Sequence, residues 1–95
     1  MIEFELKSPI TFEGKEYKSF DLTGLEDLSG QEYKDLLAKQ EKLDGETSVP
    51  ERELTFAYLA AAKVTGLPAD LFAALKGRDA ARLRWTIGAF FLKED

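Results

Sequence analysis

Residues 15–37 read KEYKSFDLTGLEDLSGQEYKDLL, and the pattern of the chain changes within this stretch. Up to Leu22 the spacing is that of a strand, in which Phe20 and Leu22 lie on one face. From Thr23 onward, helix-start signals appear, and Tyr33, Leu36 and Leu37 lie on one side of a helix. The change predicts an α+β fold in which strands precede helices.

The residues before this stretch extend the strand pattern to the N-terminus. Ile2, Phe4 and Leu6 alternate with charged residues, Ser8-Pro9 interrupts the alternation, and Gly14-Lys15 is a turn signal. Residues 1–22 are therefore predicted to form an antiparallel β-hairpin or a three-stranded meander. The pattern leaves both alternatives open.

The residues after Leu22 predict a bundle of four to five short helices over residues 23–95. Three segments have the capping-box pattern Ser/Thr-x-x-Glu, in which a hydroxyl and a carboxylate bind free amides at a helix start. These boxes pair Thr23 with Glu26, Ser29 with Glu32, and Ser48 with Glu51. The predicted helices are a turn after Thr23, then residues 31–43, 50–66 and 68–76, the last of these capped by a left-handed Gly77, and a final helix capped by Asp79 and ending near Leu92. Since no long linker interrupts the pattern, residues 1–95 are predicted to be a single domain.

The composition excludes most catalytic templates. The chain has no cysteine, so a disulfide, a thiolate metal site and a cysteine nucleophile are excluded. It has no histidine, so the usual base near neutral pH and the commonest metal ligand are missing. Single scattered glycines form no phosphate-binding loop. We therefore expect no enzyme, no cofactor and no metal site.

Carboxylate pairs are the remaining candidates for acid-base chemistry or cation binding. Glu26-Asp27 and Asp44-x-Glu46 lie close together in the sequence. The simpler interpretation is that these acids lie at helix ends and in loops, where they are solvated or interact with helix dipoles. We adopt that interpretation.

The charge distribution limits the partners that the chain can bind. The net charge of −5 argues against nucleic-acid binding, which requires basic groups for the phosphates. No apolar run approaches a membrane span, and the acidic start differs from a signal peptide, so the expected compartment is the cytoplasm. The acids concentrate in residues 1–46, with six lysines and twelve acids, whereas residues 47–95 carry seven basic and six acidic residues.

The final predicted helix carries two apolar stripes on a wheel of 100° per residue. Its core stripe consists of Ala80, Leu83, Ile87, Phe90 and Phe91. The second stripe consists of Ala81, Trp85, Gly88 and Leu92. Trp85 therefore either fills the core of a small domain or belongs to a surface that binds a partner.

Basic residues flank these stripes. Arg84 falls between them, where it must extend to solvent, pair with a carboxylate or mark the edge of a binding surface. Arg78, Arg82 and Lys93 make the polar face basic, and they could complement the acidic first half of a neighbouring copy. This complementarity suggests a head-to-tail homo-oligomer, a ring or an open spiral.

The second half of the chain contains an alanine-rich helix followed by a turn, since residues 58–68 read YLAAAKVTGLP. Leu71, Leu75, Asp79 and Leu83 follow, and FFL at residues 90–92 closes the pattern. This arrangement resembles the small tail assembly chaperones of long-tailed bacteriophages. The strands around Gly14 and the segment LTGL at residues 22–25 also fit, so the resemblance spans most of the chain.

The resemblance implies a protein that binds the long, hydrophobic, helical tape-measure protein, keeps it soluble and helps to recruit tail-tube subunits. It also implies action in the cytoplasm of the host bacterium and absence from the mature virion. It supplies no residue-by-residue site. From the helical wheel alone, we predict apolar contacts at Trp85, Leu92 and Tyr58 and a charged rim at Arg82 and Arg84.

Two other kinds of binding protein fit the same residues. A structural head-to-tail connector or neck subunit of a phage would use these helices in a permanent ring. A small acidic inhibitor or immunity-type protein would instead block a basic enzyme site with carboxylates of its first half. Persistence in the purified particle would identify the connector. Steeply salt-dependent binding that alanine at Trp85 hardly affects would identify the inhibitor.

Overall fold

The structure, a computed structural model, describes residues 1–93 and has an α+β fold. Its strands are β1 (Glu3–Phe12) and β2 (Lys15–Asp21), and its α-helices are α1 (Gly30–Asp44), α2 (Leu54–Thr65), α3 (Ala69–Ala73) and α4 (Gly77–Leu92). A 3₁₀ turn over Thr23–Asp27 precedes α1, and another over Pro50–Arg52 precedes α2. The predicted order of a hairpin followed by helices is confirmed. The single-domain assignment of residues 1–95 stays a prediction, and its last two residues lie outside the described part.

The two strands form an antiparallel hairpin closed by a two-residue turn. Both turn residues have positive φ, 49° at Glu13 and 81° at Gly14, as a type I′ turn requires. Within residues 1–93 the sheet has only these two strands, so the hairpin rather than the three-stranded meander is observed.

Ser8-Pro9 interrupts the alternation, as predicted, but does not end the first strand. The strand register shifts between Glu5 and Ile10, and Pro9 lies in this bulged part of β1. Since a bulged residue does not take part in the ladder, the missing N–H of a proline costs no interstrand hydrogen bond there. The strand therefore continues beyond the proline.

One of the three predicted capping boxes forms. Ser29 Oγ accepts a hydrogen bond from the Glu32 amide, and the Glu32 carboxylate accepts one from the Ser29 amide, both at 3.1 Å. The box at Thr23 is wrong, because Thr23 Oγ1 instead accepts a hydrogen bond from the Ile2 amide at 2.9 Å.

The box at Ser48 is also wrong. The 3₁₀ turn over Pro50–Arg52 has no side-chain cap, and the carboxylate of Glu51 accepts a hydrogen bond from the Tyr33 hydroxyl. Glu53 is extended, with φ −88° and ψ 146°, so the helix predicted from Pro50 begins only at Leu54. Its end is as predicted, because Gly66 has a φ of 75° and caps α2 in the left-handed conformation.

The link between the last two helices also differs from the prediction. α3 ends at Ala73, and Gly77 is the first residue of α4 rather than a left-handed cap of the preceding helix. Asp79 is the third residue of α4, and the N-cap position belongs to Lys76. The predicted cap at Asp79 is therefore wrong, because its carboxylate binds the β-hairpin instead.

The core surrounds α2, which packs against α1, α3 and α4. Ala57, Ala60 and Ala61 of α2 are buried, and their small side chains let the neighbouring helices approach closely. Leu83 and Ile87 of the predicted core stripe of α4 are buried in the same core, whereas Phe90 of that stripe is 38% exposed. Among residues 1–93, every helix is too short or too polar to cross a bilayer.

Candidate protein-binding site on the last helix

The position of α4 is set by its core stripe and by an aromatic cluster at its C-terminal end. Phe91 stacks on Tyr33 of α1 at a ring-centroid distance of 5.0 Å and packs edge-on against Phe56 of α2 at 5.4 Å. These contacts fix the rotation of α4 about its axis. Ala81, Trp85 and Leu92 of the second apolar stripe consequently point away from the core.

Gly88 and Trp85 have different surroundings although they share this second stripe. Gly88 is buried beneath the 3₁₀ turn over Pro50–Arg52, and a Cβ there would lie 3.2 Å from the carbonyl oxygen of Glu51. The glycine therefore permits the close approach of the turn. Ala81, Trp85 and Leu92 of the same stripe are exposed.

Trp85 is 76% exposed, so the alternative in which it fills the core is wrong. Covering a tryptophan of this exposure with an apolar partner contributes on the order of 3 kcal/mol. Tryptophan is also enriched among the residues that dominate the binding energy of protein interfaces. Trp85 is thus the most prominent apolar group available to a partner on α4.

Trp85 lies in a groove of about 580 Å³, which we call the Trp85 groove. Its apolar lining comes from Trp85, Gly88, Ala89 and Leu92, with Leu92 40% exposed. Its polar lining consists of three cations, Arg52, Arg84 and Lys93. The groove therefore combines an apolar floor with a positive rim on a chain whose net charge is −5.

Arg84 extends to solvent and marks the boundary of this groove. Its Nη1 donates a hydrogen bond to the backbone carbonyl oxygen of Arg52 at 3.1 Å. Of the alternatives raised by the sequence, solvent exposure and an edge position match the structure, and the hydrogen bond goes to a carbonyl rather than a carboxylate. Because this acceptor is neutral and Arg84 forms no ion pair within residues 1–93, the guanidinium can bind an anionic group of a partner.

Tyr58 lines an adjacent groove of about 540 Å³, which we call the Tyr58 groove. Ala81 and Leu54 contribute apolar surface to it, and Arg52 and Arg84 line both grooves. Tyr58 and Trp85 are therefore on neighbouring parts of one surface, with the two arginines at their boundary.

Arg82 faces a different part of the molecule from the two grooves. Its Nη1 donates hydrogen bonds to Asp79 Oδ1 at 2.7 Å and to the Glu5 carbonyl oxygen at 3.0 Å. Its guanidinium also lies 5.0 Å from the ring centroid of Phe4. The structure thus uses Arg82 to join α4 to β1 and does not bring it to the predicted charged rim.

Asp79 is the structurally important residue that sequence reasoning misplaced. It is fully buried and accepts hydrogen bonds from the amides of Lys7 at 3.0 Å and Ser8 at 2.9 Å. Burial raises the pKa of Asp79, but the hydrogen bonds from these amides and from Arg82 outweigh burial and hold the pKa below its ordinary value of 3.8. The spacing of Asp79 and Arg82 was the available signal, since residues three apart on a helix can pair.

The comparisons with known proteins agree with this picture of a binding protein. A family model described as "Phage tail assembly chaperone proteins, E, or 41 or 14" matches residues 3–92, which includes the hairpin and all four helices. Neither a curated protein nor a solved structure was found to match the chain.

Proposed function

Because the chain belongs to the family of phage tail assembly chaperones, we propose that it binds the phage tape-measure protein non-covalently and keeps it soluble. In this proposal it also helps to recruit tail-tube subunits while the tail assembles. It works in the cytoplasm of the host bacterium, is absent from the mature virion, and catalyses no reaction.

The exposed Trp85 is the observation on which the proposed binding site rests. An apolar, helical segment would insert side chains against Trp85 and Leu92, a mode in which an amphipathic helix lies in a hydrophobic groove. Arg84, with Arg52 and Lys93, would then contact carboxylates beside the apolar stripe of that segment. Tyr58 extends the apolar contact into the adjacent groove.

The rest of the molecule supplies solubility in this proposal. Residues 1–46 contain twelve acids against six lysines, and they lie mostly in the hairpin and in α1. An apolar protein bound on the α4 side would therefore acquire a charged, hydrated covering from its chaperone. The Trp85 groove would become free again when the partner enters the growing tail.

Co-expression with the tape-measure protein of the same genome, followed by pull-down, tests both the function and the site. We expect the native chain to keep the tape measure in the soluble fraction. Trp85→Ala and Arg84→Glu should each reduce the recovered tape measure by about tenfold or more, because each alters a central group of the groove. Leu43→Ala is the matched control, since Leu43 is an exposed apolar residue that lines neither groove.

The outcomes separate the function from the site. If the native chain leaves the tape measure insoluble and captures none of it, the proposed function is wrong. If the native chain and folded Trp85→Ala work equally well, the function stands and the proposed site is wrong. Recovery of the protein from purified particles would instead support a structural connector.

A further inference from the structure

The two outer edges of the β-hairpin are treated differently by the rest of the fold. α4 covers the outer edge of β1, where Arg82 binds the Glu5 carbonyl oxygen and Asp79 binds the amides of Lys7 and Ser8. These side chains occupy backbone groups that another strand would need. The middle of the β1 edge, from Glu5 to Ser8, is therefore closed to further pairing.

The outer edge of β2 is open within the described residues. Across residues 1–93 the strand order is β1-β2, so β2 is paired along one side only. A groove of about 600 Å³ follows β2 from Lys15 to Asp21, and its opposite wall is formed by Val64, Thr65 and Leu67. An unpaired strand edge presents backbone donors and acceptors to any extended chain that reaches it.

The charges along this edge are self-complementary about Tyr17. The sequence Glu16-Tyr17-Lys18 reads, in the antiparallel direction, as Lys18-Tyr17-Glu16. If Tyr17 lies opposite Tyr17 of a second copy, Glu16 of each copy faces Lys18 of the other. Opposite charges at directly opposed positions of an antiparallel pair are stabilising.

Neighbouring registers lack this complementarity. A two-fold axis at Lys18 would place two Lys18 ammonium groups against each other. An axis at Ser19 would place Glu16 opposite the buried Leu22, and Lys18 opposite the buried Phe20. The Lys18 register does oppose Lys15 to Asp21, but only at the two ends of the strand. Among these three registers, that centred on Tyr17 alone pairs unlike charges at the positions next to the axis.

We propose that two copies of the chain associate through the outer edges of β2, antiparallel and centred on Tyr17, to form a four-stranded sheet. The groups required are accessible, because the side chains of Glu16 and Lys18 are 60% and 74% exposed. Their contact within one copy, at 3.8 Å, is a solvent-exposed ion pair that contributes little and is readily exchanged. The pairing stops at two copies, because α4 blocks the outer edge of each β1 from Glu5 to Ser8 and so interrupts the ladder that a further strand would need.

This dimer differs from the head-to-tail assembly suggested by the sequence. A head-to-tail contact would use the basic face of α4 and generate rings or spirals, whereas the β2 contact is the same on both copies. Arg82, one of the basic residues invoked for the head-to-tail contact, is engaged by Asp79 within its own chain. The β2 contact is also independent of the Trp85 groove and hence of the proposed function.

The test is the mass of the full chain in solution, measured by light scattering and sedimentation over a concentration series. We expect the mass to rise from 10.7 kDa toward twice that value, with the dimer favoured at low salt. Glu16→Lys and Lys18→Glu each place like charges in both opposed pairs and should raise the dissociation constant about tenfold. The double variant Glu16→Lys/Lys18→Glu restores unlike pairs and should return the constant to near the native value.

Glu3→Lys is the control for the charge change, because Glu3 is an exposed acid on β1. It should leave the dissociation constant within about twofold of native.

A chain that stays monomeric at all concentrations, or single variants that dimerise like the native chain, would overturn the proposal. So would masses that grow beyond the dimer, or a double variant that fails to restore pairing. Pull-down of the tape-measure protein by Glu16→Lys should equal that of the native chain, which separates this test from that of the proposed function.

Discussion

Asp79 joins two elements that are far apart in sequence, since its carboxylate binds amides 71 and 72 residues away. In the bulged part of β1 the Lys7 and Ser8 amides lie outside the paired register, and they donate to Asp79 instead of to β2. Asp79 supplies two oxygens, and Arg82 balances its charge. The buried carboxylate of Asp79 thus has a structural role, because its interactions join α4 to β1.

Replacing Asp79 with asparagine is expected to lower the free energy of unfolding at pH 7 by about 2 kcal/mol. The change removes the charge from three hydrogen bonds and leaves one donor amide group facing other donors. Urea unfolding followed by circular dichroism measures the effect. Asp27→Asn is the control, because Asp27 is exposed, and it should change stability by less than about 0.5 kcal/mol.

The same comparison has a defined pH dependence. Because folding lowers the pKa of Asp79 below 3.8, its contribution is fully present above that value and is lost as the pH falls through the lower, folded pKa. The difference between native and Asp79→Asn should therefore shrink between about pH 5 and about pH 2. A difference that is unchanged over this range would show that the carboxylate charge is not its cause.

The helix starts show how strongly an element depends on its surroundings. Ser29 and Ser48 begin the same Ser-x-x-Glu pattern, but only the first forms a reciprocal cap. At Ser48 the glutamate of the pattern is held by Tyr33 of α1. At Ser48, therefore, a contact with another helix replaces the local capping interaction.

Ser29→Ala should lower the free energy of unfolding by about 1 kcal/mol, because the Glu32 amide would lose its acceptor at the start of α1. Ser48→Ala is the matched variant and should change stability by less than about 0.5 kcal/mol. Thermal or urea unfolding of both variants makes the comparison. Equal losses would mean that the Ser48 box forms in solution.

Acidic and basic residues are concentrated in different parts of the molecule. Acidic residues predominate in the hairpin and α1. The Trp85 groove is formed by residues from the second half of the sequence and is bordered by Arg52, Arg84 and Lys93. Surface charges act over roughly 10 Å at 0.1 M salt, so a partner in the groove is affected chiefly by this positive rim. The local charge, rather than the net charge of the chain, should decide how binding responds to salt.

Binding of the proposed partner is expected to weaken several-fold as the salt concentration rises, because salt screens the rim cations. Arg84→Gln should weaken binding at low salt and make the salt dependence shallower. Titration of the labelled chain with a soluble tape-measure fragment at several salt concentrations measures both effects. Arg78→Gln is the control, since Arg78 is exposed on α4 but lines neither groove, and identical salt slopes for Arg84→Gln and native would contradict the assigned rim.

Much of the fold follows from local patterns. The hairpin and the helices are evident from apolar spacing, because a strand and a helix bury one face at different periods. The end of α2 at Gly66 is likewise local, since glycine adopts positive φ without steric cost. The second apolar stripe of α4, and hence the candidate site at Trp85, is also visible on the helical wheel.

Other features depend on residues that meet only after folding. The sequence could not decide between core and surface for Trp85, because that choice depends on which stripe of α4 faces α2, and the aromatic contacts of Phe91 set this rotation. The sequence also could not predict the hydrogen bonds of Asp79, Thr23 and Arg82. Their partners lie in β1 or, for Thr23, at Ile2 just before it, more than twenty residues away. The periodicity of apolar residues predicts which helices and strands form, because these elements are built from hydrogen bonds between residues close in sequence or across a short turn. Buried polar groups instead bind whichever groups lie near them in the folded structure, and these can be far away in sequence. The open edge of β2 and the exposed face of α4 are therefore properties of the tertiary structure.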